Sequence, residues 1–351
     1  MKFILSRKVF VIIFLIIVNE LYYYSLIQEK NDKLKILKFF SDANVPFDQT
    51  SGNYPGHNNL ELNYKYECSK YFKYSENSDE DIVIFAYTDR PEKNFFEVFE
   101  NIIESFRNSV PKALIFCVMP EKDINSNGHK ILEEYGIKVI PFAGYYDYNI
   151  VTSRYLAIYD FLRFNSKKYR RVFLSDLDDI YMFNDIFSTF NEDEIIISKQ
   201  CFQFESENCH LLFPIDEGWF NESYIINNNN TELDLELIKD IGKDKINPQI
   251  INGGIIFGGT KKVIEFLRIF IEHINPDKAK RFGYDQVLIT LLVAKNKFSS
   301  IGLHLEQCTH RVCFMPDVRY NLNTTKIIYK ENMCSPIVIH KSIPINWKNL
   351  K

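Results

Sequence analysis

The sequence predicts an α/β protein built on a mostly parallel central sheet. Three observations lead there. Short apolar runs alternate with segments whose apolar residues recur every three or four positions. One of those runs, 171–174, ends on three carboxylates, Asp176, Asp178 and Asp179. The chain is 351 residues long and 46% hydrophobic, enough for a substantial buried core. Alternating strand and helix units of this length bury both faces of a parallel sheet, so their strands read as continuous apolar runs.

In chain order, residues 1–8 contain Lys2, Arg7 and Lys8 and read as a cytosolic tail. Residues 9–18 are apolar without interruption, and a second apolar patch spans 21–27. Glu20 and Tyr22, Tyr23 and Tyr24 stand where a cleavage site wants small residues, so 9–27 is expected to be an uncleaved signal anchor. The basic flank predicts a single-pass type II protein with a lumenal body. Residues 28–79 are polar and aperiodic, which suits a stem. The body is expected over 80–351.

That body opens with a strand at 81–87, followed by a helix marked by Phe95, Phe96, Phe99, Ile102, Ile103 and Phe106. The alternation predicts strands at 113–118, 138–141, 171–174 and 194–198, with helices at 125–135 and 151–164. Periodicity fails over 199–250, which contains four consecutive asparagines at 227–230. Such a long excursion either shapes an acceptor pocket or is a variable surface loop. A strand at 249–259, broken by Gly253 and Gly254 and closed by Gly258 and Gly259, precedes a helix at 260–274. A further helix begins after Gly283, and a last apolar run at 337–339 ends in His340 and Lys341.

A net charge of -4 with scattered lysines leaves no electrostatic footprint for nucleic acid. Cys117 sits in an apolar run and reads as a buried free thiol. Cys68, Cys201, Cys209, Cys308, Cys313 and Cys334 lie in polar or loop-like context and allow up to three disulfides, of which Cys201 with Cys209 is the pairing expected. Asn221, Asn229 and Asn323 each begin a glycosylation triplet, in keeping with a secretory address.

Carboxylates crowded at a strand's end repel one another and resist desolvation unless a cation or hydrogen bonds compensate them, and a hard divalent ion is the simplest compensation. In open α/β sheets ligands bind beyond the carboxyl ends of the strands, so Thr88 and Asp176 are expected to face one crevice. Each signal alone has an ordinary explanation. Carboxylates after a strand are often caps, a lone His is often structural, Asp285 would serve as a helix N-cap, and Arg154 as a surface helix cation. Their order along the chain gives the joint reading its weight.

Residues Ser175-Asp-Leu-Asp-Asp179, Asn252-Gly-Gly-Ile-Ile-Phe257, Tyr284-Asp-Gln286 and Val338-Ile-His-Lys341 resemble, in that order, the motifs of nucleotide-sugar glycosyltransferases of the GT-A fold, most closely the family 8 enzymes and related nucleotide-diphospho-sugar transferases. The resemblance covers roughly 81–347 by order of elements. It implies one GT-A, Rossmann-like domain and a metal site drawn from Asp176, Asp178, Asp179 and His340. Two registers stay open, Asp176 with Asp178 or Asp176 with Asp179. The glycine that often follows the metal-binding His is missing, which leaves the phosphate contact there undefined.

The resemblance further implies Mn²⁺, or Mg²⁺, as cofactor, with the imidazole favouring Mn²⁺. Thr88 and Asp89 would meet the nucleoside, Gly253 and Gly254 would allow close backbone approach, and Gln286 would join the donor site. Lys341 or Arg154 would neutralise phosphate charge. Asp285 and Asn252 are the expected catalytic residues, contacting the transferred sugar or positioning the acceptor. Partners implied are a nucleotide sugar and a hydroxyl on a glycan, protein or lipid, with the membrane engaged through the anchor. The address implied is the Golgi or endoplasmic reticulum, and the outcome is expected to be retaining. The rival readings are a catalytically inactive lumenal binding protein of the same fold and a metal-dependent phosphohydrolase.

Overall fold

A computed structural model describes residues 62–86, 95–142, 148–177, 180–199, 251–306, 311–314, 318–321, 326–329 and 334–340. All of them fall in one unit, 52–351. The expected anchor lies outside the described residues, and among those described no helix is long and apolar enough to cross a membrane. The three glycosylation triplets, and Cys201 with Cys209, also lie outside them.

The central sheet has seven strands. They are β1 (Asp81–Ala86), β2 (Leu114–Pro120), β3 (Lys138–Phe142), β4 (Arg171–Asp176), β6 (Ile195–Lys199), β7 (Ile251–Gly259) and β8 (His304–Glu306), in the order β3-β2-β1-β4-β7-β6-β8. Strands β1 to β4 run parallel, β7 is antiparallel to both β4 and β6, and β6 is parallel to β8. The fold is therefore mixed α/β with a mostly parallel central sheet, an arrangement compatible with a Rossmann-like fold. Five described helices accompany it: α1 (Phe95–Ser109), α2 (Asn127–Glu134), α3 (Ile150–Phe164), α4 (Thr260–Glu272) and α5 (Tyr284–Ala294).

Period-two alternation explains why the strand sequences are apolar throughout. Val83 and Phe85 of β1 and Ile115, Cys117 and Met119 of β2 join Phe99, Ile102, Ile103 and Phe106 of α1 in one buried cluster. Phe116 packs instead on Phe161 of α3, ring centroids 4.8 Å apart, on the other face. Cys117 is a buried free thiol, as its surroundings in sequence predict. Helix α5 is buried along most of its length, from Tyr284 to Leu292, which accounts for its lack of a polar stripe.

Side-chain capping matches local sequence. Ser126 accepts from the His129 N–H at the start of α2, and Asn149 accepts from the Val151 N–H at the start of α3. Strand β7 differs from expectation in being continuous across Gly253 and Gly254. Gly258 and Gly259 allow it to run against the backbone of residues 192–195, which a Cβ at either position would strike.

A second, three-stranded sheet joins β5 (Ile180–Met182), β12 (Val338–His340) and β9 (Val312–Phe314), with β12 in the middle. It pairs antiparallel with β5 and parallel with β9. A hairpin of β10 (Val318–Asn321) and β11 (Lys326–Tyr329) completes the described strands. At the N-terminal end of β4, Arg171 grips Asp81 of β1 through Nε and Nη2 at 2.7 and 2.6 Å and also donates to the carbonyls of Ser75, Glu76, Phe187 and Phe190. Arg171 is 3% exposed, so this network locks β1 to β4 at the ends of the strands opposite Asp176.

Candidate functional site

The site forms where β4 ends. Ala86, the last residue of β1, pairs with Asp176, the last residue of β4. Across the other edge of β4, Ser175 pairs with Ile255 of β7, so the next step along both strands brings Asp176 beside Gly254. His340 ends β12 and pairs with Ile180, the residue that directly follows the acidic triplet in sequence. Two different sheets thus deliver a carboxylate and an imidazole to one place.

Gly254 is where they meet. A Cβ there would stand 2.7 Å from Asp176 Oδ2, 2.7 Å from His340 Cε1 and 3.0 Å from Asn252 Oδ1. The Asp176 and His340 atoms are consequently within twice 2.7 Å of each other. The glycine is needed because any side chain would fill the cradle between them. Asn252 Oδ1 accepts from the Gly254 N–H at 2.7 Å and so holds this stretch of β7 in shape. His340 is fully buried.

Gly253 faces the opposite side of β7. A Cβ there would stand 3.1 Å from the Tyr155 hydroxyl, 3.2 Å from Asp285 Oδ2 and 3.6 Å from Gln286 Cα. Arg154 of α3 links the two sides. Its Nη1 pairs with Asp176 Oδ1, while its Nη2 pairs with Asp285 Oδ2 at 3.0 Å and donates to the Gly253 carbonyl at 3.3 Å. Arg154 is only 7% exposed, which rules out the surface-cation reading.

Asp285 is not the cap of α5. The cap is Gly283, held in the left-handed region at φ 81°, and Asp285 lies in the first turn with its carboxylate turned to Arg154. Burial pushes its carboxyl up from the ordinary range, and the neighbouring guanidinium pulls part of that back. Two carboxylates share one guanidinium here. With both ionised, the cluster carries one surplus negative charge in a poorly hydrated place, which a cation would balance.

Sequence reasoning missed Tyr155. Its hydroxyl donates to the Gly253 carbonyl and accepts from Arg154 Nη2 at 3.2 Å. Burial pushes its phenol far up, so it stays a neutral donor. Nothing in a helix rich in aromatics distinguishes this tyrosine from a core residue. Gln286 is buried next to Gly253 through its backbone, and its carbonyl accepts from Thr290 Oγ1, which in turn accepts from the Ile251 N–H. These bonds tie α5 to β7.

Of the residues expected at the site, Asp176, Arg154, Asn252, Gly253, Gly254, Asp285, Gln286 and His340 come together. Thr88, Asp89, Asp178, Asp179 and Lys341 lie outside the described residues. Among the described residues no group of three His, Cys, Asp or Glu side chains is gathered to hold a metal ion. The described part of the expected set is the pair Asp176 and His340. One carboxylate oxygen and one imidazole flank Gly254, and both are groups that can contribute to a divalent-ion site. No protein-family model matches the chain, and no curated protein matches it in sequence.

Proposed function

We propose that the protein is a metal-dependent glycosyltransferase of the GT-A fold that moves a sugar from a nucleotide-diphosphate sugar to a hydroxyl on a glycan, protein or lipid. The observation that carries this reading is the meeting of Asp176 and His340 at Gly254, beyond the end of β4, with Arg154 and Asp285 alongside. A disulfide between Cys68 and Cys334 supports a lumenal address, since such bridges persist in oxidising compartments. The proposed setting is the secretory pathway, with 9–27 as anchor.

When bound, Mn²⁺ or Mg²⁺ would supply Lewis-acid stabilisation of the departing diphosphate. Asp176 and His340 would hold it, with Asp178 or Asp179 adding oxygen donors. Arg154, whose two Nη groups are engaged by Asp176 and Asp285, would place positive charge near the phosphates rather than grip them as a free fork. Tyr155 occupies the Gly253 carbonyl with its hydroxyl, and the bare backbone at Gly253 and Gly254 would let a ligand approach closely. Asp285, buried and paired with Arg154, would contact the transferred sugar or the acceptor hydroxyl. Developing charge at the leaving group would then be met by groups already in position, which is where such sites gain most of their rate.

The test is a screen of nucleotide sugars for transfer and hydrolysis by the lumenal chain with Mn²⁺, with and without chelator. Chelator-sensitive turnover that His340→Ala and Asp176→Asn abolish is the expected result. A second reading, a non-catalytic binding protein of the same fold, is favoured by Arg154 already compensating Asp176. Mn²⁺-dependent nucleotide binding with no turnover of any sugar nucleotide would select it.

A further inference from the structure

Residues 62–77, which precede the first strand, connect the two strands that carry the site. At one end, the 3₁₀ turn Tyr66–Tyr71 holds Cys68, which is disulfide-bonded to Cys334 across 266 residues of sequence. Three hydrogen bonds flank that bridge. The Asn63 N–H donates to Ser335 Oγ at 2.7 Å, the Ser335 N–H donates to the Asn63 carbonyl at 3.1 Å, and the Tyr64 hydroxyl donates to the Pro336 carbonyl at 2.8 Å. Two residues after Pro336, β12 begins, and it ends on His340.

The other end is fastened to the frame of β4. The Lys73 and Tyr74 N–H groups both donate to the Ser188 carbonyl, and Asn77 donates to Asp185 through its backbone at 2.6 Å and its side chain at 3.0 Å. Arg171, on β4 itself, donates to the carbonyls of Ser75 and Glu76 at 3.1 Å each. Strand β4 ends on Asp176. The segment therefore spans from the strand of one proposed ligand to the strand of the other.

We propose that residues 62–77 are a positioning brace for His340, with Cys68–Cys334 as its covalent joint. This rests on the reading of His340 as a metal ligand. Among the described residues β12 spans three residues between two strands of three, paired on both sides. Residues 62–77 add a covalent bond and three hydrogen bonds to the stretch that leads into it. Reduction by a dithiol opens the joint: the Cys68–Cys334 bond becomes two thiols and the dithiol closes to its cyclic disulfide. Cys313 of β9 is disulfide-bonded as well, so removal of Cys68 and Cys334 by substitution, not reduction, isolates this joint.

The experiment compares the full lumenal chain with its Cys68→Ser/Cys334→Ser variant, following Mn²⁺ affinity by titration calorimetry, the Mn²⁺ paramagnetic resonance spectrum and amide hydrogen exchange. Outer-shell supports of metal ligands are worth about 10- to 100-fold in affinity, so roughly 10-fold weaker binding is expected from a support one step further out. Exchange is expected to quicken over 337–340 while β1 and β4 keep their protection. Tyr64→Phe, which leaves the disulfide in place, is expected to shift affinity in the same direction by a smaller factor, and it carries the test if the double variant does not fold. Unchanged Mn²⁺ affinity in a folded variant, or exchange that quickens equally in β1, β4 and β12, would overturn the brace. A wild-type chain that binds no Mn²⁺ would instead overturn the metal reading, and the exchange comparison would still decide whether the brace orders β12.

Discussion

Gly254→Ala separates the proposed site from the fold more cleanly than any ligand deletion. The added methyl would sit 2.7 Å from both Asp176 Oδ2 and His340 Cε1 and 3.0 Å from Asn252 Oδ1. Ordinary contacts of this kind are about 3.5–4.0 Å, so the carboxylate and the imidazole must each retreat by roughly 1 Å. Neither retreats freely: Asp176 is paired with Arg154, and His340 is buried at the end of a strand paired on both sides. Overpacking of this sort costs about 1–3 kcal/mol. A displacement of about 1 Å in reacting geometry costs on the order of 100-fold in rate. Calorimetric titration with Mn²⁺ is expected to show affinity reduced by about 10-fold or more, while the melting temperature falls by only a few degrees. Gly259→Ala is the control, because its methyl would strike the Glu192 backbone at the far end of β7, next to Arg171 rather than Asp176. It is expected to lower stability and leave the affinity of the folded protein unchanged. Wild-type Mn²⁺ affinity in Gly254→Ala would refute the idea that Asp176 and His340 share an ion across that glycine.

Arg154→Met leaves Asp176 and Asp285 without their shared cation, and breaking a buried pair in this way costs about 3–5 kcal/mol. Added Mn²⁺ is expected to raise the melting temperature of this variant more than that of the wild type, as a second cation takes over at Asp176; equal rises would count against it. Arg171→Met removes the partner of buried Asp81 and is expected to lose about 3–5 kcal/mol in urea unfolding; a loss below about 1 kcal/mol would count against the pair's role. Burial pushes the Cys117 thiol well above its ordinary value, so the thiolate needed for alkylation is scarce in the native protein at neutral pH. Iodoacetamide is expected to label Cys117 only after denaturation, and rapid native labelling would contradict the buried position.

Much of the body was legible because it depends on local patterning. The alternation of apolar runs and helical spacing located β1 to β4, β6 and the five described helices to within a few residues, since strand and helix periods are properties of short windows. Asp176 and His340 could be singled out because each ends an apolar run. The sequence predicts an interruption in β7 because glycines weaken a strand taken by itself. In the folded protein they are what lets it pass between the acidic strand and the α3/α5 side.

The amino-acid pattern alone determined the α/β class, the buried thiol at Cys117 and the polar residues ending the strands. Tertiary structure decided which of these meet. Arg154 reaches Asp285 across 131 positions, Tyr155 reaches Gly253 across 98, and Cys68 reaches Cys334 across 266. Hydrophobic periodicity reports which face of an element is buried; it carries no information about which distant side chain shares that burial. Partner choice follows instead from strand order and register, and at Asp176 the deciding pairings are those of β4 with β1 and β7.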